Sequence, residues 1–471
     1  MKFSAGFTFV FLNSIILIMI KNKDEASVNE ILTELLRLSL PSILGLMVIS
    51  LYWTIDSVFV GKGIGTDAVA ALAVVFPFSL IVLAFAQLFG IGGQSVISRA
   101  LGAKDNKKVS SCITTVFYST FFLSILLIVF FKLFEEPLLE LWGANEQILN
   151  LSKDYFNIVI NGTLFLLMFI SFNNIIRGEG KAIRAMLTLV ITALTNTILN
   201  YIFIFQLNIG IKGAAIATVI SQIAAFLFLI SYLTSKKTSL RLQLDPALFE
   251  ISVLSEIIKV GMASLLRQIF TAFKIILINN LIIISYTGLQ LAAFGIMVKI
   301  QSIFLMPVFG ILQGLSPVAG FNHGAKRPCN VKSAIYISIF LSTAFLIIFW
   351  SIIMIFPDNI LSFFSSEASF VDSSDMFMRI FFLLLPLSGF QIIICGVLQS
   401  IGDVRYAFIS NILRDGVIPI FVLLISYRYL NSIGIWLCFP VSEMISAVFI
   451  LYIFKKEFKN ICVRRAEDLL P

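Results

Sequence analysis

The chain has 471 residues, of which 59% are hydrophobic and 47 are Phe, and its mean hydropathy is +1.00. Only 13% is charged, about half the share of an ordinary soluble domain. Apolar runs of about 20 residues recur from end to end, which excludes a soluble fold and reads as helices crossing a bilayer rather than as the alternating strands of a membrane barrel. The net charge of +8 is spread along the chain rather than gathered in one domain, so it does not describe a nucleic-acid-binding protein. Five Cys without paired spacing suggest neither a metal cluster nor a disulfide frame, and the single His323 leaves His-based catalysis without material.

The first twenty residues, MKFSAGFTFVFLNSIILIMI, are apolar and run into the polar KNKDEASVNE. They read as a signal peptide that lacks an evident small-residue cleavage site, as an extra helix, or as an upstream start with Met19 as the true first residue. The segment 1–34 is taken as peripheral to function. Twelve spans then follow, predicted near 37–60, 68–95, 110–132, 155–176, 185–206, 211–234, 256–285, 289–317, 331–356, 376–400, 406–427 and 432–454. Lys and Arg gather after the even-numbered spans, as in Arg99, Lys104, Lys107 and Lys108, in Lys326, Arg327 and Lys332, and in Arg405 and Arg414. The longer stretches after odd-numbered spans are acidic, with Glu135, Glu136, Glu140 and Glu146 in one and Asp358 and Asp375 in another. By the positive-inside rule both ends of the core face the cytoplasm of a multi-pass protein of the cell membrane.

The chain repeats itself. Gly102-Ala103-Lys104 returns as Gly324-Ala325-Lys326, an offset of 222 that also pairs Gly92 with Gly314 and Gly180 with Gly402. Two six-span bundles follow, an N-lobe over 35–234 and a C-lobe over 256–454, with a cytoplasmic linker at 235–255 and a basic tail at 455–471. Six is even, so the bundles face the same way and the expected pseudo-two-fold axis runs along the membrane normal. Duplicated bundles around a cavity are a transporter architecture. No GxxxxGK[ST] nucleotide loop is present, so transport has to be driven by an ion gradient, and no cofactor beyond a transported H⁺ or Na⁺ is expected. Nor is there a HExxH, paired acids or a Ser/His pair within a span to support a membrane-embedded enzyme.

Ionisable side chains within spans are costly and mark function by default. Asp56, in LYWTIDSVFVGKGIG, is the clearest, and its repeat position is Ile278, so symmetric packing does not require it. The alternative is a helix-end residue at the outer interface. Tyr52 lies one turn earlier on the same face, and Asn196 and Asn200 share a face at the same spacing. Thr218, Asn173 and Asn174 supply further polar groups to the first half. A carboxylate among neutral oxygens suits a hard monovalent cation or a proton, while for Asn and Thr the plainer role is bonding between helices. The second half differs, with Arg267 and Lys274 on one face of span seven, Lys299 on span eight, Gln391 on span ten and Glu443 on span twelve. These could pair with one another, snorkel to an interface, line the cavity or meet an anionic substrate group.

Taken in order, SLPSIL, IDSVFVGKGIGTDAVAALAVVFP, SRALGAKD, NNIIRGEGK, NTILNYIFIF, IGIKGAAIAT and LAAFGIMVKI with FGILQGLSPVAGFNHGAK make the chain resemble the multidrug and toxic compound extrusion (MATE) transporters over roughly 35–455. The resemblance implies a twelve-helix, two-lobed antiporter that exports amphipathic and often cationic organic compounds against inward Na⁺ or H⁺, and a monomer is expected. It also implies a coupling site in the first lobe, carried here by Asp56, Asn196, Asn200 and Thr218. One departure stands out: the family's second acid on span five is Asn200 here, which removes one charge and favours a lone Asp56. Tyr52, Asn173, Asn174, Arg267, Lys274, Lys299 and Gln391 remain as candidates for the substrate cavity. The alternative function within the same superfamily is a flippase for lipid-linked oligosaccharide precursors, with Arg267, Lys274 and Lys299 holding a pyrophosphate.

Overall fold

The computed structural model describes residues 27–467 apart from 237, 287, 363 and 365–367; the expectations placed on residues 1–26 and 468–471 lie outside the described residues. Among the described residues, 12 helices are long and apolar enough to cross a membrane. They are α1 (Val28–Gly63), α2 (Thr66–Gly102), α3 (Asn106–Leu133), α4 (Glu146–Gly178), α5 (Ala182–Gln206), α6 (Ile211–Leu233), α7 (Ile251–Ser285), α8 (Gly288–Gly324), α9 (Pro328–Ile355), α10 (Ser373–Ser400), α11 (Val404–Leu430) and α12 (Ser432–Glu457).

Most helices run beyond the apolar run that predicts them, because polar caps extend them. Ser27 and Glu30 form a reciprocal capping box, the backbone N–H of each donating to the other's side chain at 3.1 and 3.3 Å. This starts α1 well before Pro41, which is an interior residue of the helix rather than its first. Asp105 and Asn145 cap α3 and α4 in the same manner, accepting from the N–H of Lys108 (3.0 Å) and Ile148 (3.1 Å). The chain breaks helical form inside α10, where one helix ends at Phe382 and the next begins at Leu385 with Pro386 in its first turn, as a residue without an N–H dictates. Two spans contain a wider π turn, Tyr201–Gln206 in α5 and Leu413–Val417 in α11. Arg414, counted with the positive residues after span ten although the predicted span 406–427 contains it, lies in the second of these turns, inside α11.

The repeat is written into the backbone. Helices α2 and α8 begin and end 222 residues apart, as do α3 and α9. Lys104 (φ 59°) and Lys326 (φ 56°) both adopt the left-handed region just after a helix, and Gly180 (φ 79°) and Gly402 (φ 80°) do the same. A lysine pays a steric penalty there that glycine avoids, so its presence at both copies marks one inherited turn.

The chain forms two compact units, one over residues 41–268 and the other over 269–471 together with the described residues up to Leu40. The bounds fall inside α1 and α7. In the 41–268 unit, α2 packs most extensively against α4, and the buried rings of Phe78, Phe131 and Phe156 meet edge to face, Phe78 lying 4.9 and 5.2 Å from the other two. The first turns of α7 belong to this unit. Gly261 and Gly92 face the backbone of Leu88 and Ile257 with no space for a Cβ, and Glu256 pairs with Arg99 (2.9 Å) and Lys108 (2.7 Å). The segment before α7 is tied down as well: Glu179 accepts from the hydroxyls of Tyr232 (2.8 Å) and Thr238 (2.9 Å) and from the N–H of Ser239 (2.7 Å). Thr114 and Tyr118 donate to the carbonyls of Gln243 (2.7 Å) and Leu244 (3.0 Å).

In the other unit, Trp436 of α12 is fully buried and stacks on Phe377 with centroids 4.4 Å apart. Gly314 of α8 faces Ser39 of α1 with no room for a Cβ. Glycine thus stands at both copies of one repeat position, Gly92 and Gly314, and at each it admits the close approach of a neighbouring helix.

Candidate functional site

Asp56 sits on α1, where the spacing of Tyr52 and Asp56 puts both on the face turned toward α5 and α6. Asn200 of α5 donates from Nδ2 to Asp56 Oδ1 at 2.6 Å and to Asn196 Oδ1 at 2.8 Å. Asn196 in turn donates to Thr218 Oγ1 at 3.3 Å, and Thr218 donates to the Ala214 carbonyl at 3.0 Å. The hydroxyls of Tyr52 and of Tyr155 from α4 lie beside Thr218 and Asp56. Four helices of one unit therefore converge on a single carboxylate, and the four residues named for coupling, together with Tyr52, form one connected cluster. The π turn Tyr201–Gln206 begins at the residue after Asn200, and such turns concentrate at functional sites. It is held against α1 by Phe59 and Phe205, edge to face at 5.5 Å.

Asn196 and Asn200 are wholly buried, while Asp56 is only partly so. The carbonyl oxygen Oδ1 of Asn200 is buried with no donor, an arrangement that costs about 1–3 kcal/mol unless something arrives to meet it. The cluster thus offers one carboxylate, one unclaimed amide oxygen and three hydroxyls. That set fits a monovalent cation or a proton. It is poor in charge for a divalent ion, and no group of three or more His, Cys, Asp or Glu is drawn together among the described residues.

The other named residues lie elsewhere. Asn173 donates to the Ala185 carbonyl (2.8 Å) and to Thr188 Oγ1, which ties α4 to α5, and Asn174 donates back to the Ile170 carbonyl (2.9 Å). Both are buried within the helix packing. Lys299 is exposed on α8 and Arg267 is partly buried on α7. Gln391 is fully buried and donates to Glu443 at 2.9 Å, and Lys274 faces the same carboxylate. Sequence reasoning passed over Tyr155, one of several aromatics in its span, and Asp415, which follows an arginine counted with the loop positives.

The fold and this cluster define a polytopic helical membrane protein with a polar site inside its first half. The MatE family model matches residues 41–202 and 263–425, and the chain belongs to that family. The multidrug export protein MepA of Staphylococcus haemolyticus (strain JCSC1435) is 26% identical over 425 residues, covering 90% of this chain and 93% of the relative. MepA of Staphylococcus aureus (strain NCTC 8325 / PS 47) is 25% identical over 424 residues, covering 89% and 93%. Among solved structures, a MATE transporter in the bent conformation superposes with a TM-score of 0.86 at 24% identity, over 92% of this chain and 96% of that one, a likeness of fold.

Proposed function

We propose that the protein is a cation-coupled antiporter that exports drugs or other amphipathic organic compounds, typically cationic ones, by alternating access. H⁺ or Na⁺ is the coupling ion and Asp56 the coupling carboxylate. It works in the cell membrane, as a monomer, with both ends of the twelve-helix core in the cytoplasm. The names of the staphylococcal relatives support the export of many compounds, and the basic and acidic stretches on opposite sides of the predicted spans support the orientation. The observation that carries the coupling role is the hydrogen bond from Asn200 to Asp56 with the Asn200 oxygen left unmet.

In this mechanism a cation or proton enters at Asp56 and cancels a charge that Asn200 and the neighbouring hydroxyls otherwise solvate. The helices α1, α5 and α6 then relax around a neutral site. Ion and substrate favour different states, so each weakens the binding of the other by the same factor. The test is a binding measurement on purified protein. A fluorescent cationic substrate should lose affinity as Na⁺ or H⁺ is raised, and the Asp56→Asn variant should bind it with no dependence on either ion. Substrate affinity that stays independent of both ions in the wild type contradicts the coupling.

A further inference from the structure

Glu443 lies on α12, inside a span, and the coupling mechanism above makes no use of it. Its Oε1 accepts from Ser388 Oγ (2.6 Å) and from Gln391 Nε2 (2.9 Å), and Nε2 also donates to the Glu443 main-chain carbonyl (3.2 Å). The amide nitrogen of Gln391 is therefore committed to Glu443. Its oxygen, Oε1, is buried and has no donor, on a residue that is 0% exposed.

The arrangement matches that at Asp56. There too a carboxamide, Asn200, gives its N–H to a carboxylate within a span while its own oxygen is buried without a donor. The two sites lie in different units and on helices that are not repeat partners, so the duplication does not account for the likeness. Chemistry does. An amide beside an ionised carboxylate has to present its N–H, since two acceptors face to face repel. A protonated carboxyl carries one O–H donor of its own. With Nε2–H already bonded to Oε1 of Glu443, a proton on Oε2 supplies an O–H that the idle oxygen of Gln391 accepts. The two groups then close a cyclic acid–amide pair with a hydrogen bond in each direction.

We propose that Glu443 is a proton-binding group, loaded from water and held in its protonated form by Gln391, so that the second half of the molecule carries a protonation site of its own. One O–H bond forms at Oε2, a hydronium gives up the proton, and no other covalent bond changes. The charged groups facing Glu443 are Arg414 and Asp415 from α11 and Lys274 from α7. Cys395 of α10 stands by Arg414, and Cys438 of α12 by Lys274. Arg414 and Asp415 pair with each other at 3.3 Å. Ionised Glu443 balances Lys274, and protonation leaves the cluster with one net positive charge. A metal cation is a poor occupant, because two cationic side chains, Arg414 and Lys274, already stand there.

The test is pH-jump infrared difference spectroscopy on the full-length protein in lipid, with Asp56→Asn as the background so that Asp56 contributes nothing. Lowering the pH should bring up a carboxylic-acid carbonyl band. That band should be lost in Asp56→Asn/Glu443→Gln and should shift in frequency in Asp56→Asn/Gln391→Leu, where the acid has no amide to pair with. Should Glu443→Gln fail to fold, Glu443→Asp retains a carboxyl on a shorter arm and should move the band as well. A band identical across these variants, or no band in the Asp56→Asn protein, shows that Glu443 stays ionised as a structural counter-ion and overturns the proposal. Neither result bears on the coupling role of Asp56, which is read from substrate binding and transport.

Discussion

At the scale of residues, the coupling site depends on one charge and the amide that addresses it. A hydrogen bond to a charged group contributes about 1.5–3 kcal/mol, and 1.4 kcal/mol corresponds to a factor of ten in binding. Asn200→Ala should therefore raise the ion concentration needed for half-maximal transport by about tenfold or more, measured with the gradient varied at fixed substrate. Thr218→Val, which removes a hydroxyl one step further from the carboxylate, should have a smaller effect, and equal effects from the two would place Asn200 outside the site. Much of this cluster was legible beforehand. A turn's spacing put Tyr52 with Asp56 and Asn196 with Asn200, and family likeness supplied Thr218. Tyr155 was not legible, because nothing in an apolar run says which of its aromatics turns inward. For Asn173 and Asn174 the sequence left both a cavity role and bonding between helices open, and their hydrogen bonds to α5 and to their own helix appear only once the helices are packed.

At the scale of elements, the strongest local demands fall where α7 enters the 41–268 unit. Gly261 meets the backbone of Leu88 with no space for a Cβ, and overpacking of this kind costs about 1–3 kcal/mol. Gly261→Ala should lower the thermal midpoint of the purified protein, whereas Gly295→Ala, with open space around it, should not. Glu179 gathers three donors that fix the start of the linker. Glu179→Ala should expose residues 235–250 to limited proteolysis while the helical circular dichroism is retained; unchanged cleavage would show that Thr114 and Tyr118 hold the segment unaided. Helix positions were readable from hydropathy alone, since twelve runs could hardly be anything else. Their ends were not, because the capping box at Ser27 and Glu30 and the cap at Asn145 lie in polar sequence that a hydropathy reading assigns to loops. The π turn around Arg414 has no sequence signature at all, and although the predicted span 406–427 contains this arginine, its pairing with Asp415 shows only in the packed helices.

At the scale of the whole molecule, duplication supplies two copies of one scaffold and function breaks the symmetry between them. The repeat shows in matched helix ends and in the left-handed Lys104 and Lys326, yet Asp56 is answered across the repeat by Ile278, which is buried in the core. A carboxylate retained in one copy alone points to a task that packing does not set. The central claim is that Asp56 couples export to an ion gradient. Its most direct test is dye efflux in membrane vesicles with Na⁺ and pH gradients imposed separately, wild type beside Asp56→Asn. Efflux driven by one of the two gradients and lost in the variant, with the variant still folded and inserted, is the predicted result and names the ion. Gradient-driven efflux that Asp56→Asn leaves intact would contradict the claim.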